Sequence, residues 1–260
     1  MAEYEIASSA EVICEVEKTP EVIAAKTNTT IDLQIGSGAI VMVIGAITVL
    51  LSSLSLLGTC IKFLTGHDSV FGFIPTFNLD TEGNIPTYFS ALLLLLVAGL
   101  MQYIAIHKKS ANDAFARQWA VLSYIFIYMS VDEAVEIHGM LMRPLNSLYV
   151  FGDFFHFSWV VVGIGLLAVA AIYFLRFYLA LNLKYKRQFL AAAVVYISGL
   201  IGMELIGGAY AHSFGEANIT YELITTLEET FEMAGIVLLI RTLLCYIKDY
   251  TSGTRLSVKN

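Results

Sequence analysis

Long apolar runs separated by short polar stretches dominate this 260-residue chain. Six of the runs are long enough to cross the roughly 30 Å of hydrocarbon in a bilayer. Because lipid offers the backbone no hydrogen bonds, each run is predicted to be a helix. The predicted spans are Ile35–Leu64, Tyr88–Ile106, Trp119–Met142, Phe154–Leu181, Phe189–Ala211 and Tyr221–Ile247.

The composition favours the same fold class, an all-α polytopic membrane protein. The chain is 57% hydrophobic and 14% charged, with a mean hydropathy of +0.72, whereas a soluble domain is roughly half apolar and a quarter charged. Its net charge of −7 offers no basic surface for nucleic acid. The three cysteines are far apart in the sequence, so neither a disulfide nor a thiolate metal site is expected.

Lysine and arginine in the short loops predict the orientation. They gather between spans two and three, between spans four and five, and behind span six. Both termini are therefore predicted to be cytoplasmic, with the protein in the inner cell membrane. We expect residues 1–34 to form an acidic, partly disordered cytoplasmic tail, residues 35–248 to form the six-helix transmembrane domain, and residues 249–260 to form a short cytoplasmic tail.

Two similar acidic stretches lie inside these apolar runs. Residues 131–139 read VDEAVEIHG, and residues 227–235 read LEETFEMAG. An ionisable side chain inside a membrane span is costly and indicates a functional site by default. The first stretch lies late in its span and the second lies early, whereas a whole-unit inverted duplication would place them on opposite sides of the membrane. We interpret the likeness as local, and an internal duplication is left open.

Helix geometry predicts that these acids lie at one depth. At about 1.5 Å per residue, Asp132, Glu204 and Glu232 lie roughly 20, 22 and 24 Å from the inner ends of spans three, five and six. At about 100° per residue, the three carboxylates of each stretch fall on one face of a helix. The predicted metal or proton ligands are Asp132, Glu133, Glu136, Glu204, Glu228, Glu229 and Glu232.

Four more polar side chains are candidate ligands near the same level: His138, Asp153, His156 and His212. In an unbroken helix His138 would point away from the carboxylates, but a helix end at Gly139 would free its ring to turn. The alternative for the histidines is that they cap helices at the membrane surface, and for Glu228 and Glu229 that they lie at the outer water boundary. The aromatic start of span four, including Trp159, is interpreted as an interfacial belt.

From Ser130 onward the chain resembles an uncharacterised family of bacterial multi-pass membrane proteins. The likeness is carried by Asp132-Glu133 with His138, by the GMELIGG motif at residues 202–208, and by the acids of residues 227–235. The resemblance implies a multi-pass membrane fold and supplies no activity. The chain lacks the histidine boxes of membrane desaturases, the ExxH pairs of soluble di-iron bundles, and the GxSxG, Walker A and HExxH motifs.

The charge balance leads to the functional hypothesis. So many carboxylates at one depth, with no lysine or arginine beside them, need protons or a metal ion as partners. We expect a cation-binding protein of the lipid bilayer, used for transport or proton-coupled exchange of a small cation or small molecule. A divalent or transition metal is the candidate cofactor, because oxygen ligands suit hard cations and added imidazoles favour iron, zinc or manganese. Haem is less expected.

Two other functions remain open. A membrane metalloenzyme would use a carboxylate-bridged metal site with open coordination positions. A non-catalytic subunit or assembly factor would instead keep the acids in a proton-sharing network. The sequence distinguishes neither between these functions nor between a monomer and an oligomer.

Overall fold

A computed structural model of the protein describes residues 37–148 and 156–251, and every regular element in these ranges is helical. The predicted all-α fold is therefore confirmed for this part of the chain. The predicted N-terminal tail, most of the C-terminal tail and the candidate ligand Asp153 lie outside the described residues. The elements are α1 (Ser37–Thr65), α2 (Phe73–Phe77), α3 (Ile85–Ser110), α4 (Ala116–Val135), α5 (Ile137–Leu148), α6 (Trp159–Ala180), α7 (Leu183–Ile197), a π-helix (Ser198–Met203), α8 (Glu204–Phe214) and α9 (Ile219–Thr251).

Five helical segments in the described ranges are long and apolar enough to cross a membrane. They correspond to the first, second, fourth, fifth and sixth predicted spans. The predicted third span differs, because the structure divides it into α4 and α5, and the charges of Asp132 and Glu133 make α4 less apolar than the others. The five segments are Gly38–Thr65, Ile85–Ser110, Trp159–Ala180, Leu183–Phe214 and Ile219–Tyr250.

α4 nevertheless lies along α3 as an antiparallel neighbour. The Ser123 hydroxyl donates to the Ala98 carbonyl at 2.9 Å, and the Ser130 hydroxyl donates to the Ala91 carbonyl at 2.7 Å. Between these two contacts the helices advance by the same number of residues in opposite directions. In that register the end of α4 at Val135 lies level with the first turn of α3, so α4 extends along most of α3.

One end of the bundle, here called the basic end, is formed by residues 107–117, 176–187 and 245–251. Trp119 is almost fully buried beside it, with its ring centroid 5.0 Å from that of Phe177 and 5.1 Å from that of Tyr246. Large aromatic side chains bury more apolar surface than any others. This aromatic group therefore ties α4, α6 and α9 together near the basic end.

Both acids of the basic end have a basic partner. Asp113 Oδ2 lies 2.8 Å from Lys108 Nζ, and Asp249 Oδ2 lies 2.8 Å from Lys184 Nζ. The Asp113 carboxylate also accepts the Phe115 N–H at 2.8 Å. These pairs join α3 to the following loop and α7 to α9, so the charges at this end contribute to packing.

The opposite end, here called the acidic end, contains residues 66–84, the junction of α4 and α5, and the loop 215–218. Residues 66–84 are folded rather than extended, because the buried Asn84 amide donates to the carbonyls of Asn78 and Thr81 at 2.6 and 2.7 Å. The same side chain caps α3 by accepting the Thr87 N–H. This segment can therefore hold its own polar side chains in fixed positions.

Polar side chains also join α1 to α9 near the acidic end. The Glu222 carboxylate contacts Lys62 Nζ and accepts a hydrogen bond from the Thr59 hydroxyl at 3.1 Å. Two turns farther along α9, the Thr230 hydroxyl donates to the Ser52 hydroxyl at 2.9 Å. Small hydroxyl side chains such as Ser52 and Thr230 allow close helix packing in a membrane. These contacts place the acidic half of α9 beside α1.

Candidate functional site

The first wall of the site is the junction of α4 and α5. Glu136 has a left-handed backbone (φ 55°, ψ 49°), and its N–H donates to the Asp132 carbonyl at 2.7 Å. This conformation is uncommon for residues other than glycine, so the surroundings must hold the turn. Asp132 does so, because its Oδ1 accepts the His138 N–H at 2.8 Å and its Oδ2 lies 3.1 Å from His138 Nδ1.

This turn changes the geometry that the sequence predicts for span three. The helix ends at Glu136 rather than at Gly139, so Glu136 leaves the face that carries Asp132, and its side chain is exposed. The prediction that all three acids share one helical face is therefore wrong for Glu136. His138 does turn toward Asp132. The absence of a side chain at Gly139 leaves room for the Glu136 carboxylate, because a Cβ atom there would lie 2.7 Å from Glu136 Oε1.

The second wall is the acidic stretch of α9. Glu228 is buried, and Glu229 and Glu232 are half-buried. The carboxylates of Glu229 and Glu232 both interact electrostatically with that of Glu133 on α4. Glu232 also interacts with the hydroxyl of Tyr196 on α7. The two acidic stretches that the sequence singles out therefore lie close enough for their charges to interact.

The third wall begins at the π-helix that precedes α8. Short π-helical turns are rare and often occur at functional sites. Gly199 in this turn packs directly on α9, because a Cβ atom there would lie 2.6 Å from the Glu228 carbonyl oxygen and 2.8 Å from Glu232 Cγ. This close approach brings the start of α8, and with it Glu204, next to α9.

Glu204 links the three walls. Its Oε1 accepts a hydrogen bond from Trp159 Nε1 on α6 at 2.8 Å, and the Trp159 and His138 rings form a tilted pair with 4.9 Å between centroids. The carboxyl groups of Glu204 and Glu228 lie close enough to share a hydrogen bond. Two carboxyl groups form such a bond only when one of them carries a proton. The name carboxylate cluster is used below for Asp132, Glu133, Glu204, Glu228, Glu229 and Glu232.

The other two candidate histidines lie together toward the acidic end of α8. The rings of His156 and His212 are 6.1 Å apart, and His156 Nε2 lies 3.7 Å from Glu216 Oε1 in the loop before α9. Both histidine side chains are exposed. About 12 Å of helix separates His212 from Glu204, so this pair forms a separate group at the rim of the cluster.

Sequence reasoning misses two carboxylates in residues 66–84. Burial raises the pKa of Asp80 from 3.8 to about 6, although a hydrogen bond from Thr225 opposes the shift. Desolvation and the negative charge of Glu136 raise the pKa of Glu82 above its ordinary value. A loop has no periodicity to mark such residues. The one available signal is that residues 66–84 contain acids and no lysine or arginine.

Glu222 is a third acid that the apolar pattern does not reveal. Only 3% of its side chain is exposed, compared with 30% for its partner Lys62. It lies one to two turns of α9 from Glu228, on the side of the acidic end. The sequence has no lysine or arginine at the depth of the cluster. The ion pair between Glu222 and Lys62 therefore lies just outside the cluster.

A metal centre is not evident in residues 37–148 and 156–251, where no three His, Cys, Asp or Glu side chains are grouped to hold an ion. The predicted metal ligands stay a prediction. Carboxyl groups from three walls, one hydrogen-bonded pair and one imidazole can nevertheless share and pass protons.

Comparison with known proteins identifies the family of this chain but does not assign an activity to it. A family model described as a domain of unknown function (DUF8692) matches residues 39–247, so the chain belongs to this family. The match includes every residue of the carboxylate cluster. No curated protein and no solved structure matches the chain.

Proposed function

We propose that this DUF8692 protein exchanges protons for another small cation across a membrane, with the carboxylate cluster as the binding site. The observation that carries the proposal is the contact between Glu204 and Glu228, which brings together carboxyl groups from two membrane helices. Two ionised carboxylates offer no donor, so the pair holds a proton when it is hydrogen-bonded. A cation that binds between these groups would displace that proton.

The surroundings of the cluster support an exchange of charge. An ionised carboxylate is costly inside a bilayer unless it has a partner. The partners described for the cluster are the indole of Trp159, the hydroxyls of Tyr196 and Ser90, and the imidazole of His138, rather than lysine or arginine. Protons or a bound cation must supply the remaining positive charge. Loss of one cation is then compensated most simply by uptake of another.

A six-span topology with both termini in the cytoplasm suits this use. The antiparallel register of α4 on α3 supports a sixth crossing beside the five apolar segments. The positive-inside rule assigns the basic end, with Lys108, Lys184 and Lys248 among its cations, to the cytoplasm. α9 ends at this same basic end. The acidic end then faces outward from the inner cell membrane.

Residues 66–84 offer the cluster a connection to water. Glu82 interacts electrostatically with Glu133, and Asp80 interacts with Glu222 and Lys62. The raised pKa values of Asp80 and Glu82 let both groups take up a proton at a higher pH than an ordinary carboxyl group. In the proposed mechanism they receive protons from water, and the cluster receives protons from them.

The second cation is proposed by chemical class only. The cluster offers carboxylate oxygens, which are the ligands that hard cations prefer. A divalent ion held by these oxygens would replace more than one proton, whereas a monovalent ion would replace one. The proton and the second cation compete for the same groups in either case.

Proteoliposomes test this proposal. The protein is reconstituted with a pH-sensitive dye inside, a pH gradient is imposed, and sodium, potassium, calcium or manganese salts are added outside in turn. We expect at least one salt to discharge the gradient faster than in empty vesicles. Glu228→Gln and Glu232→Gln should abolish that effect, because an amide cannot release a proton at these pH values.

The matched control is Asp68→Asn, which neutralises an exposed carboxylate at the same end of the protein and should leave the flux unchanged. The proposal is overturned if no cation discharges the gradient, or if both glutamine variants exchange at the wild-type rate. Metal analysis of detergent-purified protein is the second measurement. A stoichiometric transition metal that is lost in Glu232→Gln would instead favour a metalloprotein.

A further inference from the structure

We propose that a cleft at the basic end of the bundle binds the phosphate-bearing headgroup of an anionic phospholipid. The inference goes beyond the proposed exchange function and does not depend on it, because the cleft and the carboxylate cluster lie at opposite ends of the bundle. The cleft consists of two cavities of about 370 and 180 Å³. Four residues line both of them: Lys108, Asp113, Tyr246 and Tyr250. The name basic cleft is used below for the two cavities together.

The basic cleft lies at the depth of lipid headgroups. It is situated where α3 ends at Ser110, α6 ends at Ala180 and α9 ends at Thr251. Its lining residues come from the final two turns of these helices, from the loops that follow α3 and α6, and from the start of α4. Tryptophan and tyrosine are enriched at this boundary, and Trp119 and Tyr246 both line the cleft. A phospholipid headgroup is therefore available beside the cleft in any membrane that holds the protein.

The charge at this end favours an anionic headgroup. Residues 107–117, 176–187 and 245–251 contain eight lysines and arginines and two acids, although the whole chain has a net charge of −7. Basic pockets between membrane helices bind anionic headgroups. The positive-inside rule accounts for cations in the loops, but it does not require one of them to line a cavity between helices. The eight cations are Lys108, Lys109, Arg117, Arg176, Lys184, Lys186, Arg187 and Lys248.

Lys108 is the cation that the cleft presents to a ligand. Its side chain is 21% exposed, and its Nζ lies 5.8 and 5.2 Å from the ring centroids of Tyr246 and Tyr250. Attraction between the ammonium and these rings restricts its position. An ammonium has three N–H donors. The Asp113 carboxylate takes one at 2.8 Å and the Tyr246 hydroxyl interacts with the same group, so a third donor can reach a phosphate oxygen in the cleft.

The larger cavity adds an apolar wall for the glycerol and the upper acyl chains of the lipid. Phe115, Trp119, Phe177 and Leu181 line it, and the Trp119 and Phe177 rings pack edge to face with 5.0 Å between centroids. Covering such a wall with apolar groups removes it from water, which is favourable. Inorganic phosphate would leave the wall uncovered. An amphiphile with an anionic head therefore fits the cleft better than a free phosphate ion does.

Asp113 opposes the ligand and gives the test a second sign. Its carboxylate holds Lys108 and also accepts the Phe115 N–H at 2.8 Å. A phosphate must compete with Asp113 for the lysine, and the two negative charges repel each other. Lys108→Gln should therefore weaken lipid binding and Asp113→Asn should strengthen it, although both variants remove the same ion pair. A purely structural role of the pair predicts that both variants act in the same direction.

Quenching of Trp119 fluorescence tests the inference without any flux measurement. The chain has two tryptophans, so a Trp159→Phe background leaves Trp119 as the sole emitter. Only 1% of Trp119 is exposed, so a lipid must enter the cleft to contact its ring. Phosphatidylglycerol or phosphatidylcholine that carries bromine at the top of its acyl chains is added to the full-length protein in detergent. We expect phosphatidylglycerol to quench Trp119 at a lower concentration than phosphatidylcholine.

Variants in the same background assign the effect to the cleft. Lys108→Gln should raise the concentration of phosphatidylglycerol needed for half-quenching roughly tenfold, as expected for losing one hydrogen bond to a charged group. Lys109→Gln is the matched control, because it removes the same charge from the next residue, which is exposed and lies outside the lining of both cavities. It should keep the preference. Unbrominated phosphatidylglycerol should restore the emission, whereas inorganic phosphate at the same concentration should not.

Three outcomes would overturn the inference: equal quenching by the two lipids, a preference that survives in Lys108→Gln, or emission that inorganic phosphate alone restores. Loss of the preference in both Lys108→Gln and Asp113→Asn would also overturn it, because the ion pair would then act through the fold. These outcomes are distinct from failure of the proposed function. A protein that exchanges protons but shows no lipid preference keeps the proposed function and loses this inference, and the reverse result does the opposite.

Discussion

At the basic end of the bundle Asp113 and Asp249 each lie 2.8 Å from a lysine ammonium. At the acidic end the six acids of the carboxylate cluster meet hydroxyls, one indole and one imidazole. The helices themselves differ in the same way. Within the described ranges, the π-helix and three of the four left-handed residues other than glycine (Val70, Phe71 and Glu136) lie in the acidic half of the bundle, and the fourth, Asn112, lies at the basic end. Asparagine adopts this conformation more readily than most residues. Aromatic side chains fill the core near the basic end.

The difference shows which half of the molecule is arranged for stability. Paired charges and buried aromatic rings lower the free energy of the folded state. A left-handed backbone at a residue such as Glu136, and buried carboxylates without a lysine or arginine partner, raise it, by about 1–3 kcal/mol for the backbone alone. Such costs persist where a site requires them. The comparison therefore supports the proposed site at the acidic end, and three predictions test it.

The largest effect is expected for Gly199→Ala at the π-helix. The added methyl group would lie 2.6 Å from the Glu228 carbonyl oxygen, and because that atom belongs to the backbone, the two helices must separate. Overpacking of this kind costs about 1–3 kcal/mol. The free energy of unfolding in detergent, from thermal or denaturant titration, measures the loss, and proton exchange should fall with it.

Gly165→Ala is the matched control for that variant. It also adds a methyl group to a helix, but nothing lies within 4 Å of the new Cβ atom. Its stability should equal or slightly exceed that of the wild type, because alanine is the better helix former. Equal stability of the two variants would mean that the acidic half of the bundle is not tightly packed at Gly199.

The second prediction compares two loop aspartates across pH. The pKa of Asp80 rises from 3.8 to about 6, so between these values the folded protein holds a proton that the unfolded chain has released. Stability contributed by Asp80 is therefore present at low pH and lost as the pH rises from about 4 to 6. Asp80→Asn should flatten the stability profile in that window.

Asp113 at the basic end should show the opposite sign. Desolvation opposes the shift, but hydrogen bonds from Lys108 and the Phe115 N–H outweigh it and lower the pKa of Asp113. Its contribution is present above the ordinary aspartate pKa and is lost as the pH falls below it. Asp113→Asn should therefore lower stability at neutral pH and flatten the profile only in acid. Profiles of the same sign for both variants would contradict the comparison of the two ends.

The sequence predicts the helices well because membrane insertion imposes a strong, continuous pattern. It predicts that Asp132 and Glu204 come near the acids of α9, because helix rise alone sets their depth. It does not predict the turn at Glu136, since that turn depends on a contact between Asp132 and His138 that no periodicity encodes. Asp80 and Glu82 are missed for a related reason: only the folded loop brings Asp80 near Glu222 and brings Glu82 near Glu133 of the cluster.

The smallest effect is expected for two serines on α4. Ser123 donates to the Ala98 carbonyl and Ser130 donates to the Ala91 carbonyl, at 2.9 and 2.7 Å. Hydrogen bonds between membrane helices contribute about 0.6 kcal/mol on average, so Ser123→Ala and Ser130→Ala should each cost about that much in unfolding free energy. Equal losses would mean that α4 is held evenly along α3. A clearly smaller loss for Ser130→Ala would mean that α4 is loosely held beside Asp132, and that the difference between the two ends extends from their charges to the packing of their helices.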